Sequence, residues 1–478
     1  MTLLRMEIVM KNMTLLQVAS ACNGRIVGAY DVNLEINGVV VDSRKIEQNF
    51  LFIATVGERV DGHNFINTAF DQGAIAAVCE KVPDGVKGPC ILVDNSFEAL
   101  KQIATWYRSQ LSIKVVGITG SVGKTSTKEF ISSVLEQKYH VLKTEGNFNN
   151  EIGLPLTILK IKDYHEIAVL EMGISDFGEM HRLSKIAKPD LCVITNIGQC
   201  HLENLGSREG ILKAKSEIFD FMSEDGSVCI NGDDDMLSTI KEVKGKKPIK
   251  FGIHPSNDVA ATDITTHGLF GSSCSIHINE NELLHDQANM TNQILHADIP
   301  LPGEHMILNA LAATAVGTLL QLSADEIVAG IRAVKPVGGR SNIIKKNNHT
   351  IIDDCYNANP VSMKSAIDLL GKADTRKVAI LGDMFELGEK EKELHKEVGE
   401  YAAVEVDVLI CVGALSRNMY DGAVQEIKNP SHPCRVEYYE TRDEMLVHLD
   451  QMIKTNDTIL VKASHGMKFE EVVRYLGE

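Results

Sequence analysis

The sequence predicts an α/β protein of three domains: a small α/β N-terminal domain, a central doubly wound P-loop sheet, and a Rossmann-like α/β C-terminal domain. Three observations support this fold class. The chain has 478 residues, and at roughly 150 residues per domain it should contain two to four domains. Short β-branched and apolar runs alternate with helical stretches. A Gly-rich turn also stands between a strand and a helix near position 120.

Residues 1–112 form the first predicted domain, a small α/β unit. Its strand candidates are 39–42, 50–54, 76–78 and 91–93, and its longest helix is predicted over 97–107. Loops separate these elements, as expected for strands and helices that pack into two layers.

The central domain, residues 113–336, begins with a strand at 115–119 that leads through the Gly-rich turn into a helix. Further strands are predicted at 168–171, 191–195 and 228–230, and a helix at about 307–320. Strands that alternate with helices in this way are typical of a parallel, doubly wound sheet.

A stretch rich in Pro and Gly at 335–339 interrupts the pattern and suits a hinge. Beyond it, residues 337–478 form the third predicted domain, with strands at 351–353, 378–381, 408–412 and 459–461. Helical segments separate these strands, so a third α/β unit closes the chain.

Composition limits the possible functions. Lys and Arg total 48 against 65 Asp and Glu, a net charge of −17, which disfavours binding to nucleic acid or to an anionic membrane. The ten Cys form no CxxC pair or zinc-ligand spacing, as in proteins of a reducing compartment. No apolar run is long enough for a membrane span. We therefore expect a cytoplasmic protein, and we expect it to be a monomer.

The Gly-rich turn carries the strongest functional signal. In such a loop, glycines let backbone N–H groups surround phosphate oxygens, Lys124 reaches the β and γ phosphates, and the Thr125 hydroxyl can bind Mg²⁺. Ile118 stands where the strict GxxxxGK[ST] pattern has its first Gly. The context of strand, turn and helix still predicts an ATP site. Its predicted nucleotide-binding residues are Thr119, Gly120, Ser121, Val122, Gly123, Lys124, Thr125 and Ser126.

A nucleotide site also needs ligands for its metal, and the ends of neighbouring strands can supply them. Glu171 ends one apolar strand, and His201 follows the strand at 191–195 after a short loop. Taken singly, each residue is more often a capping carboxylate or a surface His. The adjacent P-loop favours the metal role. Lys215, on a predicted helix, would by its spacing alone be a solvated residue.

At this point the motifs resemble a known family. The loop at 120–126 is similar to the TGxxGKT[ST] loop of the Mur ligases, ATP-dependent enzymes that form amide bonds in peptidoglycan precursor synthesis. Later segments follow in the family's order, so the resemblance spans essentially the whole chain. These segments are 171–173, 196–202, 214–219, 303–305 with 309–310, and 339–340.

The third domain indicates a branch of the family, because it receives the incoming amine there. Residues 353–363, read as DDCYNANPVSM, resemble the signature of the branch that adds D-alanyl-D-alanine. Residues 381–388 and 147–155 are similar to two further segments of that branch. The resemblance therefore implies ATP, Mg²⁺, a UDP-N-acetylmuramoyl-tripeptide and D-alanyl-D-alanine as cofactors and substrates. The third residue of the tripeptide stays open.

By this resemblance, ATP phosphorylates the carboxylate of the tripeptide and the dipeptide amine then attacks the acyl phosphate. Lys124, Lys215 and His201 become the expected catalytic residues. The expected metal ligands are Thr125, Glu171, His201 and a carbamylated Lys215. Carbamylation requires a neutral amine, so we expect a desolvated Lys215 with a lowered pKa.

The resemblance extends to further binding residues. Asn309, Arg340 and Asp354 are expected near the nucleotide. The expected substrate-binding residues are Ser43 and Arg44 for the uridine diphosphate, Asn147, Asn149 and Asn150 for the sugar and peptide, and Asn357, Asn359, Lys462 and Ser464 in the third domain. The sequence departs from the family's pattern at Ala463 and His465, in place of Gly and Arg, and at Met306, in place of Asn.

Three other functions compete with this hypothesis. A folylpolyglutamate-synthase-like ligase shares the fold, but the separate first domain and the DDCYNANP segment disfavour it. A P-loop ATPase with partner-binding outer domains would turn over ATP without a small-molecule acceptor. A nonenzymatic nucleotide-binding module would not need Lys124.

Overall fold

A computed structural model describes residues 10, 13–29, 31, 33–57, 60–279, 294–346, 348–427 and 434–477. Its strands form three sheets, one after another along the chain. We call each sheet, with the helices that cover it, the first, central and third unit. The mixed α/β architecture with three sheets agrees with the predicted fold class.

The first unit has a five-stranded sheet in the order β1-β5-β4-β3-β2. Its strands run parallel except for β1, which pairs antiparallel with β5. The elements are α1 (Leu15–Ala21), β1 (Arg25–Val27), β2 (Gly38–Val40), β3 (Phe50–Ile53), α2 (Ile66–Asp71), β4 (Ala74–Cys79), β5 (Cys90–Leu92) and α3 (Ser96–Ser109).

The central unit opens with the strand and helix that flank the P-loop. Its elements are β6 (Lys114–Thr119), α4 (Lys124–Leu135), β7 (Val141–Lys143), α5 (Gly153–Ile158), β8 (Ile167–Glu171), α6 (Glu179–Ala187), β9 (Leu191–Ile194), α7 (Leu202–Leu205), α8 (Arg208–Ser216), β10 (Ser227–Asn231), β11 (Ile249–Gly252), β12 (Val259–Thr266), β13 (Ser272–Ile278), β14 (Ile294–Ile299), α9 (His305–Leu319) and α10 (Ala324–Ala333).

The central sheet has the order β14-β13-β12-β11-β10-β9-β6-β8-β7. From β7 through β12 every pair is parallel, as predicted for a doubly wound sheet. The sheet then continues through the antiparallel strands β13 and β14, which the sequence did not predict. The second half of β12 is exposed, so it lacks the apolar run that marks a buried strand.

The third unit has a six-stranded sheet in the order β15-β16-β20-β17-β18-β19, parallel except for the edge pair β15 and β16. Its elements are β15 (Asn342–Lys345), β16 (His349–Asp353), α11 (Pro360–Gly371), β17 (Lys377–Gly382), α12 (Glu391–Glu405), β18 (Val408–Val412), α13 (Ser416–Glu426), β19 (Arg435–Tyr439), α14 (Arg442–Leu449), β20 (Asp457–Lys462) and α15 (Glu470–Gly477).

The order of the central strands brings the candidate site together. The P-loop follows β6, and the two strands that pair with β6 are β8 and β9. Glu171 is the last residue of β8, and Thr195 follows β9 directly. Because the carboxyl ends of parallel strands lie at one edge of a sheet, these residues meet beside the loop.

The first and central units share a hydrophobic core, whereas the third unit has its own. Buried residues of α3 pack against α5 and α6 in one continuous cluster. The third unit has separate clusters on the two faces of its sheet. One contact between units comes from the turn between β12 and β13, where Leu269 packs against the third unit's core.

Arg108 fastens α3 to the central unit. Its guanidinium donates hydrogen bonds to the carbonyls of Ala187 (2.8 Å), Lys188 (3.1 Å) and Leu111 (3.2 Å). The side chain is 9% exposed and lies 3.6 Å from Asp190. Burial lowers the pKa of Arg108. This contact holds the first unit in a fixed position beside the central sheet.

We expect the substitution Arg108→Met to lower the free energy of unfolding by about 2 to 4 kcal/mol, because buried carbonyls lose their donor. Urea unfolding can be followed by fluorescence of Trp106, the only tryptophan, which lies in α3. Lys114→Met is the control, since Lys114 contacts the same Asp190 but is 60% exposed. Equal stability of the two variants would contradict this role of Arg108.

Candidate active site

The P-loop has a backbone that requires glycine at two positions. Gly120 and Gly123 have φ of +151° and +81°. A Cβ on Gly120 would lie 1.9 Å from the Thr195 hydroxyl oxygen, so no side chain fits there. Gly123 directly precedes α4, and the first backbone N–H groups of this helix therefore point toward the loop.

Residues after β9 hold the loop in shape. The Ser121 N–H donates to the Asn196 carbonyl, and the Val122 N–H donates to Asn196 Oδ1, both at 3.0 Å. The Thr195 hydroxyl donates to the Val122 carbonyl at 2.7 Å. Thr195 and Asn196 are not among the site residues predicted from the sequence, although Asn196 lies in a segment that resembles the family.

The Lys124 side chain folds back onto the P-loop. Its Nζ donates hydrogen bonds to the carbonyls of Gly120 at 2.8 Å and Ser121 at 3.5 Å. The side chain lines a cavity of about 490 Å³ between the central and third units. A triphosphate in this cavity would therefore meet a cation and the start of a helix, both of which favour anions.

Glu171 is a buried carboxylate with neutral hydrogen-bond partners. It is 2% exposed. The Thr125 hydroxyl donates to Oε2 at 2.7 Å and the Asn149 amide donates to Oε1 at 2.8 Å, and these are its side-chain partners among the described residues. A buried carboxylate that no cation neutralises is costly. The pair of Thr125 and Glu171 therefore fits a divalent cation at the P-loop.

The protein alone offers few other ligands for such a cation. The described residues contain no group of three or more His, Cys, Asp and Glu side chains that could hold a metal. Mg²⁺ commonly binds one or two carboxylates together with substrate phosphates and water. The residues present fit that kind of site and do not fit a metal cage made by protein alone.

Lys128 is connected to Glu171 through hydrogen bonds to Thr144. Its ammonium is 2% exposed, donates to the Thr144 carbonyl at 2.6 Å and pairs with Glu129 at 3.0 Å. The Thr144 hydroxyl in turn accepts the backbone N–H of Glu171 at 3.0 Å. Lys128 and Thr144 were not predicted from the sequence, because no local pattern relates a Lys on a helix to a Thr in a distant loop.

Lys215 lies fully buried on α8, with an exposed fraction of 0%. Its Nζ has no hydrogen-bond partner among the described residues. Burial lowers its pKa to about 8, Cys200 opposes this shift, and the positive charge of Lys124 adds to it. The Lys215 amine is therefore desolvated, as the resemblance to the family implies. The charge of Lys124 is close enough to act on it.

His201 precedes α7 and contacts the third unit. Its backbone is left-handed, with a φ of 55°. Its Nδ1 lies 2.6 Å from Oε2 of Glu386. The hydrogen bond with His201 lowers the pKa of Glu386. Glu386 lies in the segment 381–388 that resembles the family, but no role was predicted for this residue.

The third unit brings a second group of charges to the cavity. The Arg340 guanidinium stacks 4.0 Å from the centre of the Tyr356 ring. Lys462 Nζ donates to Asp354 Oδ2 at 2.5 Å and to the Asn357 carbonyl at 2.9 Å. The backbone N–H of Ser341 donates to the other oxygen of Asp354 at 2.9 Å. Asp354 and Lys462 therefore hold each other in place at the cavity wall.

The cavity collects most of the residues predicted from the sequence. Those that line it are Ser121, Val122, Gly123, Lys124, Thr125, Ser126, Asn149, Asn150, Glu171, His201, Asn309, Arg340, Asp354, Asn357, Asn359 and Lys462. Thr119, Gly120 and Lys215 do not line the cavity, and Thr119 and Lys215 are completely buried.

Four predicted substrate residues lie outside this cavity. The Arg44 side chain is 86% exposed and pairs with Asp42 through two hydrogen bonds of 2.9 and 2.8 Å. Ser43 is the first residue of the short helix Ser43–Lys45, which also contains Arg44. Asn147 is exposed on a loop. Ser464 is buried, and its hydroxyl accepts the Phe385 N–H at 2.9 Å.

Asn309 connects α9 to the P-loop helix. The Thr127 hydroxyl donates to Asn309 Oδ1 at 2.7 Å. The Asn309 amide donates to the sulfur of Met306 at 3.4 Å, and Met306 is the residue that departs from the family's Asn. The buried sulfur therefore takes a hydrogen bond that would otherwise be available to a ligand.

We expect Lys215→Met to raise the free energy of unfolding at pH 7 by about 2 to 3 kcal/mol in metal-free, CO₂-free buffer, because an ammonium no longer has to be buried. The pKa of Lys215 is lowered from 10.5 to about 8, so between these values the unfolded chain binds more protons. Wild-type stability rises with pH across this window. The advantage of the variant is therefore greatest below pH 8 and fades by pH 10.5.

Urea unfolding followed by circular dichroism measures this difference. Lys213→Met is the matched control, because Lys213 lies on the same helix and is exposed. The control should change stability by less than about 0.5 kcal/mol. A destabilised Lys215→Met protein would mean that the amine has a partner in solution.

Comparison with known proteins relates this geometry to a family. Family models match three consecutive segments: residues 35–107 match "Mur ligase family, catalytic domain", residues 118–317 match "Mur ligase middle domain", and residues 339–465 match "Mur ligase, glutamate ligase domain". The three segments follow the order of the three sheets. In the described residues, no helix has the length and apolar character needed to cross a membrane.

Individual relatives match along nearly their whole length. The UDP-N-acetylmuramoyl-tripeptide--D-alanyl-D-alanine ligase of Bacillus subtilis (strain 168) is 38% identical over 471 residues, which are 97% of this chain and 98% of that protein. A crystal structure of MurF from Acinetobacter baumannii has a TM-score of 0.86 and 31% identity, covering 98% of this chain and 99% of that one. MurF from Thermotoga maritima in complex with ADP has a TM-score of 0.76 and 30% identity, covering 92% and 96%. The chain therefore belongs to the Mur ligase family.

Proposed function

We propose that this protein is the ATP-dependent ligase that joins D-alanyl-D-alanine to UDP-N-acetylmuramoyl-tripeptide and so completes the pentapeptide precursor of peptidoglycan. One observation carries the proposal: the P-loop of the central unit and the DDCYNANP segment of the third unit line the same cavity. The names of the full-length relatives support the choice of donor and acceptor. We further propose that the protein acts as a monomer in the cytoplasm.

In the first step, the terminal carboxylate of the tripeptide attacks the γ-phosphorus of ATP and gives an acyl phosphate and ADP. Such transfers depend mainly on positioning and on neutralising charge. The ammonium of Lys124 lies at the loop and would offset charge on the transferred phosphoryl group. Backbone N–H groups at the start of α4 would hold the phosphates, with Ser126 on the first turn of this helix.

We include Mg²⁺ in this proposal because the buried Glu171 carboxylate has only neutral hydrogen-bond partners among the described residues. Thr125 and Glu171 would hold one Mg²⁺, and His201 with a modified Lys215 would help to hold a second. Bound there, the ion would neutralise phosphate charge. Asn149 and Thr144 keep the Glu171 carboxylate in its place between the loop and the cavity.

Lys215 fits this role only as a carbamate. As an ammonium it would repel a metal ion. A neutral amine that adds CO₂ releases a proton and becomes an anion, which can serve as a ligand. Burial favours the neutral amine by lowering the pKa of Lys215 to about 8. The unpartnered Nζ also leaves the added carboxylate free to find partners at the site.

In the second step, the amine of D-alanyl-D-alanine attacks the acyl carbon, and phosphate leaves from the tetrahedral intermediate. We assign this acceptor to the third unit, residues 337–478, with Asn357, Asn359 and Lys462 at the cavity wall and Ser464 supporting a loop behind it. Arg340 and Asp354 would reach the nucleotide from the same side.

The donor would lie between the other two units. We assign the uridine diphosphate to the first domain, residues 1–112, with Ser43 and Arg44, and ATP to the central domain, residues 113–336. Asn147, Asn149 and Asn150 form one loop of the central unit and would contact the sugar and peptide. Two of the three, Asn149 and Asn150, line the cavity.

The direct test is phosphate release from ATP with UDP-N-acetylmuramoyl-tripeptide, with and without D-alanyl-D-alanine. We expect strong dependence on the dipeptide and formation of the pentapeptide product by mass spectrometry. Lys124→Ala should lower the rate at least about a hundredfold, because transition-state charge loses its main side-chain cation. Lys185→Ala, an exposed lysine of α6, should leave the rate unchanged.

Other outcomes would support the competing functions. ATP hydrolysis that ignores both small molecules would favour an ATPase with partner-binding domains. Product formation with glutamate in place of the dipeptide would favour a folylpolyglutamate-type ligase. An unchanged rate in Lys124→Ala would rule out the P-loop as the reacting site.

A further inference from the structure

We propose that Glu386 of the third unit is a positioning residue for His201, so that docking of the third unit fixes the imidazole for its work in the cavity. The inference rests on the proposed function, because it concerns a residue of that same site. The carboxylate Oε2 of Glu386 lies 2.6 Å from Nδ1 of His201.

Both partners adopt an uncommon backbone conformation. His201 has a φ of 55° and Glu386 a φ of 63°, and both are non-glycine residues. Such conformations cost about 1 kcal/mol or more each and persist where the surrounding structure imposes them. The turn after Glu386 also lies against α7, since a Cβ on Gly388 would be 3.6 Å from Glu203 Cα. The two loops therefore meet over more than one side chain.

The loop that carries Glu386 is a rigid part of the third unit. The Phe385 N–H donates to the Ser464 hydroxyl, and the Met384 N–H donates to Nε2 of the buried His395, both at 2.9 Å. Asp383 accepts hydrogen bonds from the Ser416 N–H at 2.7 Å and from the Ser416 hydroxyl at 2.6 Å. Because these hydrogen bonds hold the loop to the third unit, Glu386 should move together with that unit.

The contact determines which ring nitrogen of His201 is available. A carboxylate only accepts hydrogen bonds, so Nδ1 carries the hydrogen that points to Glu386. On a neutral imidazole this arrangement leaves the lone pair on Nε2, and the His201 ring lines the cavity. In metal sites, a carboxylate that accepts a hydrogen bond from a histidine fixes the tautomer and the orientation of the ring. In this protein the carboxylate comes from another unit, so His201 is oriented only when the third unit is docked.

The first readout is the tautomer of His201 in the metal-free protein, from ¹⁵N NMR of labelled imidazoles, with His201→Gln to assign the signal. We expect the Nδ1–H form in the wild type and in Glu386→Gln, whose side-chain carbonyl can still accept the hydrogen. Glu386→Ala should shift the ring toward the Nε2–H form that predominates for free imidazole side chains. Glu389→Ala, an exposed residue of the same turn, is the matched control and should match the wild type.

The second readout is steady-state kinetics. Glu386→Ala should lower kcat about tenfold to a hundredfold, the usual effect of losing such a support, with the KM for ATP within about threefold. Glu386→Gln should recover most of the rate. A merely structural contact would make the Gln and Ala variants equally slow and would leave the tautomer unchanged, and that result would overturn the proposal. If the wild type makes no pentapeptide, the proposed function fails, while the NMR result still decides the contact.

Discussion

Two ionisable side chains, Glu171 and Lys215, lie buried at the carboxyl edge of the central sheet without an oppositely charged partner among the described residues. The Glu171 carboxylate is 2% exposed and has neutral partners, and the Lys215 amine is completely buried with no partner among the described residues. Groups of this kind oppose folding unless a ligand or a modification completes them. We propose that a metal nucleotide and CO₂ complete these two groups beside the P-loop.

The order of the strands in the central sheet brings the P-loop and its neighbouring side chains together. The loop after β6 lies between the ends of β8 and β9, so residues far apart in sequence converge without long connections. The shared core makes the first and central units one body, and the third unit has cores of its own. A reaction that needs a donor on one body and an acceptor on the other can therefore be controlled by how the two bodies dock.

The sequence predicts those features that depend on local pattern. Strand β18 coincides with its predicted range because all of its residues are apolar and buried. The P-loop can be recognised in the sequence because its glycine, lysine and threonine must stand at a fixed spacing. The strands β13 and β14 lack such a pattern. The contacts of Lys128 with Thr144 and of Glu386 with His201 arise only from tertiary packing, and no local rule relates their positions. The lowered pKa of Lys215 was expected only from the resemblance to the family, since its spacing alone indicates a solvated residue. That its amine has no hydrogen-bond partner among the described residues could be seen only in the structure.

We propose that the buried Lys215 acts at this site as an anion. The most direct measurement is ¹³C NMR of the active enzyme equilibrated with ¹³C-bicarbonate, Mg²⁺ and ADP. We expect a carbamate carbonyl signal that is absent in Lys215→Arg and retained in Lys213→Arg. An enzyme that is fully active and loaded with metal, yet shows Lys215 unmodified, would contradict the claim.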